Sequence, residues 1–267
     1  MFKLAHCASI ILCLHFADSL AFCDDSDLPT QLRKLPSVHS VTSTPTKSKP
    51  KQIIIHLLNW HFVSKEDFAA DLSDSSDNEF SETEINKRYL EFLNDVEAVQ
   101  KEQRQILRFL IKKHEVRSVY MEGLTEKNLK AFNSFIKTLR EFEVPEGDGA
   151  FDLFLKEQYR RDCIQMGAAA QLLISNEIKT ALPLENAEAF EAANPVGKDG
   201  KVRFVEAAEE KREDGMVKNL LKGQGIKVIV IGGGHDLSDN LKRMKVDSVQ
   251  YVRVSGKQYE RIVNDMD

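Results

Sequence analysis

Residues 52–58, Gln-Ile-Ile-Ile-His-Leu-Leu, are the stretch that decides the fold class of this chain. A short run that is nearly all apolar is typical of a strand buried on both faces. Apolar patterns indicate further strands over residues 116–122, 178–184, 226–231 and 249–254. The chain is therefore predicted to build a sheet from several short, buried strands.

Helices are predicted between these strands. Ser64 with Asp67, and Ser81 with Glu84, have the spacing of a capping box, in which side chains satisfy backbone amides of the first helical turn. One helix begins at residue 64, and others cover residues 81–114, 126–142, 151–175, 186–193 and 203–222. Strands that alternate with helices imply right-handed crossovers. We predict an α/β domain with a mainly parallel central sheet of about five strands and helices on both faces.

The composition indicates how this domain is bounded. The chain has 267 residues, of which 42% are hydrophobic and 30% are charged, so it is globular. Thirteen of the 27 residues over 24–50 are Ser, Thr or Pro, and no apolar periodicity is present there. Such a segment is typical of a linker. We expect a linker over residues 24–50 and a single α/β domain over residues 51–267.

Residues 1–23 have the layout of a secretory signal peptide. Lys3 precedes an apolar stretch over residues 4–16, and Ser19 and Ala21 are small residues at the −3 and −1 positions of a cleavage site. The stretch is short for a membrane span, so we expect an exported, periplasmic or extracellular protein with no span in its mature chain. An uncleaved N-terminal anchor and a misassigned start codon are the alternatives. A net charge of −5 argues against nucleic acid as a partner.

Polar residues gather where the predicted strands end. In open α/β sheets, ligands bind beyond the carboxyl ends of the strands. The strand ends carry Asn59-Trp60-His61, Glu122-Gly123, Glu185-Asn186 and Gly232-Gly233-Gly234-His235-Asp236. This constellation is the most informative feature of the sequence.

The histidines of this constellation have competing interpretations. We prefer His61 to His56 as a site residue, because His56 lies inside the predicted strand. His56 is expected to point into the core, or to contact His61 without itself contacting a ligand. His235 follows three glycines, which allow a sharp turn and a close approach to a ligand or ion. A strand-to-helix turn with Asp236 as N-cap would explain the glycines but not the histidine. The sequence therefore favours a functional His235.

The order of these motifs resembles the Tiki/TraB and ChaN-like superfamily, which also includes erythromycin esterase. Members carry a G-x-x-H after the first strand, a Glu after the second, an R-[DN]-x-x-M-A-like helix and a late G-x-x-H. The corresponding residues here are Leu58-Asn59-Trp60-His61, Glu122, Arg212-Glu213-Asp214-Gly215-Met216-Val217 and Gly232-Gly233-Gly234-His235. The match spans residues 52–255, with Leu58 in place of the first Gly and Glu213 in place of Asp or Asn. The dinucleotide, P-loop, zincin and serine-hydrolase motifs are absent from the sequence.

The resemblance implies several functions. Tiki proteins are described as metal-dependent proteases, the esterase opens a macrolide lactone, and ChaN-like members bind haem. The fold alone does not decide among them. The resemblance implies a hydrolase of a small-molecule or peptide substrate, and a haem- or metal-binding protein without catalysis or an inactive scaffold is the alternative.

The chemistry of the candidate residues leaves the mechanism open. His61, Glu122 and His235 could hold a divalent metal, with Gly232, Gly233 and Gly234 as cofactor-binding residues. Alternatively, His61 or His235 could act as a metal-free general base oriented by Glu122. Arg212 would orient a carboxylate or stabilise an oxyanion, or would only form an ion pair on the helix surface. Glu185 could be a further ligand or simply the charge at the start of the next helix.

Overall fold

The computed structural model describes residues 27–46, 49–74, 80–195 and 203–266. The helices within these residues are α1 (Leu28–Arg33), α2 (Lys65–Asp74), α3 (Glu82–His114), α4 (Leu129–Glu141), α5 (Ala150–Ile174), α6 (Ala187–Ala192), α7 (Glu206–Leu220), α8 (Ser238–Arg243) and α9 (Lys257–Met266). The strands are β1 (Val38–Ser43), β2 (Gln52–Asn59), β3 (Ser118–Met121), β4 (Thr180–Pro183), β5 (Gly225–Gly232) and β6 (Val249–Gly256). No helix of the described residues is long and apolar enough to cross a bilayer.

The strands form one sheet in the order β1-β6-β2-β5-β3-β4. Strand β2 pairs in parallel with β5 and β6, and β3 pairs in parallel with β4 and β5. The predicted α/β class with a mainly parallel sheet is confirmed. The sheet has one strand more than expected, because β1 joins the edge antiparallel to β6.

Strand β1 and helix α1 lie in the segment that was predicted to be a linker, and that prediction is wrong for residues 27–46. The side chains of Leu28 and Leu32 are fully buried in the main core, and Val41 pairs with Val254 of β6. The Ser40 and Ser255 hydroxyls also lie 2.9 Å apart across this pair. A few apolar residues placed among serines and threonines are enough for an edge strand, and average composition hides them. The predicted signal peptide, residues 1–23, lies outside the described residues.

The core lies on both faces of the sheet. Successive side chains of a strand point to opposite faces, so Ile53, Ile55 and Leu57 of β2 pack in one cluster and Ile54 in the other. Helices α1, α3, α4 and α5 contribute to the first cluster, and α7 and α8 to the second. This two-sided burial explains why β2 reads as a continuous apolar run.

Helix α5 has the predicted extent but is broken at Gly167, whose φ of 80° and ψ of 173° are not helical. Such a residue interrupts the ladder of backbone hydrogen bonds. The Gln100 side chain donates to the carbonyl of Ile164 over 2.7 Å, and the Gln171 side chain donates to that of Cys163 over 2.9 Å. These amides satisfy carbonyls next to the break, which lies at the edge of the candidate site.

Candidate functional site

Glu122 is the centre of the candidate site. It directly follows β3, and its side chain is 18% exposed. The Gly232 amide donates to its Oε2 over 3.0 Å, and Arg212 Nη2 donates to its Oε1 over 3.3 Å. His61 Nε2 lies 3.5 Å from Oε2, and His235 Nε2 lies 3.5 Å from Oε1. The structure thus brings together all four side chains that the sequence singles out.

These contacts keep Glu122 ionised. Burial by itself would raise the pKa of this carboxyl group, because a charge is poorly solvated inside a protein. Its hydrogen bonding to His235, the neighbouring His61 imidazole and the Gly232 amide outweigh burial and lower the pKa to about 2. At neutral pH the site therefore contains a carboxylate fixed from several sides.

His235 is held between two carboxylates. Glu122 and Glu213 together raise the pKa of His235 to about 9, against the opposing effect of burial. The second contact is the shorter one, with 2.8 Å between His235 Nδ1 and Glu213 Oε1. His235 is consequently an imidazolium at neutral pH, and it serves as a cation and donor rather than as a base.

Arg212 of α7 is part of a buried ion network. Its Nη2 donates to Glu185 Oε1 over 2.7 Å, its Nη1 lies 3.5 Å from Glu209, and its guanidinium lies 5.0 Å from the centre of the Phe190 ring. The Arg212 side chain is 12% exposed and that of Glu185 is not exposed at all. The alternative of an ion pair on the helix surface is therefore wrong. The guanidinium is thus paired with three carboxylates of the protein itself, those of Glu122, Glu185 and Glu209.

Glu185 and Glu213 are the site residues that sequence reasoning undervalued. The sequence leaves open whether Glu185 is a ligand or a charge at the start of a helix, and the structure places it after β4 in contact with Arg212. Glu213 was noticed only as a departure from the family motif, and its carboxylate is the partner of His235. The signal that could have found Glu213 is its position beside Arg212 in α7.

The three glycines at the end of β5 make room for side chains. A Cβ atom on Gly232 would overlap Nε2 of His61, and one on Gly233 would overlap the hydroxyl of Tyr259. A Cβ atom on Gly234 would meet nothing within 4 Å. Two of the three glycines are thus explained by close approach of the protein's own residues. Nothing in the sequence signals Tyr259.

His56 is a buried structural histidine. It is fully buried, and burial lowers its pKa to about 3, so the ring is neutral. Its Nε2 donates to the Ile231 carbonyl over 3.2 Å, so its Nδ1 accepts from the Tyr251 hydroxyl at 2.6 Å. The Tyr251 oxygen in turn accepts from the Leu237 amide over 3.3 Å. His56 therefore supports the residues on either side of the glycine turn, and both of its ring nitrogens are used for this.

Two cavities meet at His61. The first, the Glu122 cleft, has a volume of about 320 Å³ and is lined by residues that include Glu122, Arg212, Met166 and Gly167. The second, the Trp60 pocket, has a volume of about 540 Å³, and His235 is among the residues that line it. Asn59 and His61 line both. With its side chain 52% exposed, His61 is the member of the site most open to a ligand.

The groups around Glu122 are paired with one another. His235 lies between the carboxylates of Glu122 and Glu213, and Arg212 contacts the Glu122 carboxylate. In the part of the chain that the structure describes, no group of three or more His, Cys, Asp or Glu side chains could hold a metal ion.

Comparisons with known proteins identified no relative of this chain. No family model matches the chain, and searches of curated proteins and of solved structures found no match. Any functional conclusion therefore depends on the geometry of the site and on the order of the motifs.

Proposed function

We propose that this protein is a hydrolase in which His61 is the general base and Glu122 orients it. The observation that carries the proposal is a half-exposed imidazole beside a partly buried, ionised carboxylate, with 3.5 Å between His61 Nε2 and Glu122 Oε2. A carboxylate at this position favours the tautomer with its proton on Nε2 and stabilises the imidazolium that forms during proton transfer. The order of motifs, which resembles that of the Tiki/TraB and erythromycin-esterase type, supports the same reaction class.

In the proposed reaction, Nδ1 of His61 takes a proton from a water molecule. The water oxygen then bonds to the carbonyl carbon of an ester or amide, the bond to the leaving oxygen or nitrogen breaks, and His61 returns the proton to the leaving group. General acid–base catalysis of this kind contributes about 10²- to 10⁴-fold to a rate. Arg212, His235 and the Gly232 amide contact Glu122, so they act as positioning groups for this carboxylate.

Haem binding without catalysis is the second candidate. The observation in its favour is the Trp60 pocket, because an apolar slot beside an axial histidine is what a haem site requires. The described residues that line this pocket include no Lys or Arg to pair with the propionates of a haem. The hydrolase proposal is therefore preferred. An absorption spectrum and metal analysis of the purified protein test the haem and metal alternatives.

Hydrolysis of p-nitrophenyl acetate tests the proposal. We expect His61→Ala and Glu122→Gln each to lower kcat/KM at least 100-fold while the far-UV circular dichroism is kept. His39→Ala and Glu126→Gln are matched controls at exposed positions and are expected to retain the wild-type rate.

Two results would contradict the proposal. One is a His61→Ala variant as active as the wild type. The other is activity that a chelator abolishes in a protein with a stoichiometric metal, which would establish the metal-dependent alternative.

A further inference from the structure

The Trp60 pocket is a large apolar cavity that borders the candidate site. Its volume of about 540 Å³ lies within the range of sites for small molecules. Apolar and aromatic side chains form its walls, from Trp60, Val63, Phe68, Leu72, Phe92 and Tyr259. Its composition is that of a binding site for an apolar group.

The position of the aromatic side chains keeps the pocket in shape. Trp60, Phe68 and Phe92 pack against a small core cluster that includes the buried Tyr89 and Leu93 of α3. The ring centres of Phe68 and Phe92 lie 5.3 Å apart, and that of Tyr89 lies 5.5 Å from Phe68. The pocket wall is therefore anchored to the long helix α3.

The pocket opens onto the proposed reaction centre. Asn59 and His61 line both this pocket and the Glu122 cleft. A ligand that filled the pocket with an apolar chain would place its next atoms beside the His61 imidazole. Binding in the pocket would then orient the bond that reacts.

The charges of the lining favour an uncharged occupant. Among the described lining residues, Asp71 is the one carboxylate and there is no Lys or Arg. The charge of His235 is already paired with Glu122 and Glu213. A fatty acid or another anion would find no free cation there, whereas a neutral ester or amide avoids this cost.

We infer that the Trp60 pocket binds the apolar acyl or aryl group of an uncharged substrate, so that the protein acts on neutral esters or amides of hydrophobic acids. This inference rests on the proposed hydrolytic function of His61. It adds the substrate class.

Chain length and tryptophan fluorescence test the inference independently. We expect kcat/KM for p-nitrophenyl esters to rise about threefold to fourfold per methylene from acetate to hexanoate, the effect of burying each methylene. Trp60 is the only tryptophan of the chain, so its fluorescence reports directly on the pocket. Octan-1-ol should shift this fluorescence at a concentration at least tenfold lower than octanoate does.

Three variants localise the effect. Gly234→Leu adds a side chain to the pocket wall at a position with open space, and it should weaken the octan-1-ol response at least tenfold. Gly149→Leu, at an exposed glycine remote in sequence, is the matched control and should leave the response unchanged. Glu122→Gln, which does not line the pocket, should abolish hydrolysis and keep the octan-1-ol response within threefold.

The outcomes separate the two proposals. Hydrolysis that does not depend on chain length, with no response of Trp60 to octan-1-ol, overturns the pocket assignment and leaves the hydrolase proposal standing. A response of Trp60 without hydrolysis of any ester overturns the proposed function and keeps an apolar binding site. A red protein with a Soret band overturns the inference in favour of haem.

Discussion

Replacing Arg212 by Met is expected to destabilise the protein strongly, because it leaves a buried carboxylate without its cation. The Glu185 side chain is fully buried, and Arg212 Nη2 donates to it over 2.7 Å. Its remaining partner is the Gly123 amide at 3.3 Å. Removing one member of a buried pair costs about 3–5 kcal/mol of unfolding free energy. That is a large share of the roughly 5–15 kcal/mol that stabilises an ordinary domain.

A double-mutant cycle measures this interaction. Urea unfolding would be compared for the wild type, Arg212→Met, Glu185→Met and the double variant. Because the double variant removes both charges together, we expect it to lie within about 2 kcal/mol of the wild type. Lys127→Met is the control, since Lys127 pairs with Glu191 on the exposed surface at 3.0 Å and such pairs contribute about 0–1 kcal/mol.

The cycle also distinguishes two roles of Arg212. If the single variants cost less than about 1 kcal/mol each, or if their costs simply add in the double variant, the buried network does not hold the site together. The guanidinium would then be free for the substrate, as the sequence suggested. If the network is as described, Arg212→Met should also lower hydrolysis, because Glu122 loses one of its positioning contacts.

Further expectations concern the core and the glycine turn. The pKa of His56 is about 3 when folded and 6.5 when unfolded, so its neutral ring favours folding above pH 6.5, and this contribution is lost as the pH falls toward 3. Between pH 6.5 and 5 the wild type should lose about 2 kcal/mol more than His56→Gln in urea titrations, and equal losses would show that His56 is not buried neutral. Leu32→Ala should cost about 2–5 kcal/mol, since the side chain is fully buried, whereas a linker residue would cost nothing measurable. Gly232→Ala should displace His61 and lower kcat/KM at least tenfold with little loss of melting temperature, while Gly234→Ala should stay within twofold of the wild type. The same rate for both glycine variants would contradict the close approach of His61.

Local patterns were sufficient for most of the regular structure. The apolar run of β2 and the serine cap at Ser81, which accepts from the Glu84 amide over 3.3 Å, depend on residues close together in the chain. Periodicity and capping therefore predict them. The same holds for the position of Glu122 and His235 at strand ends, since the edge at which parallel strands end follows from their direction.

The pairing of the edge strand and the break in α5 could not be predicted from local sequence. Strand β1 becomes a strand because β6 offers it an edge more than 200 residues later, where Val41 pairs with Val254. The break of α5 at Gly167 depends on side-chain amides from α3 and from the far end of α5 itself. Gln100 comes from another helix, and its contact with the break follows from the packing of α3 against α5.

The sequence by itself determined the α/β class, the parallel strands and the edge at which the chemical groups gather. Only the tertiary structure decided which groups contact one another. Glu122 and Arg212 are 90 residues apart in the chain, and their contact depends on how α7 packs beside β3. The protonated state of His235 likewise follows from two carboxylates that arrive from different elements. Secondary structure follows from neighbours in sequence, whereas charge and hydrogen bonding in a site follow from neighbours in space, which only packing brings together.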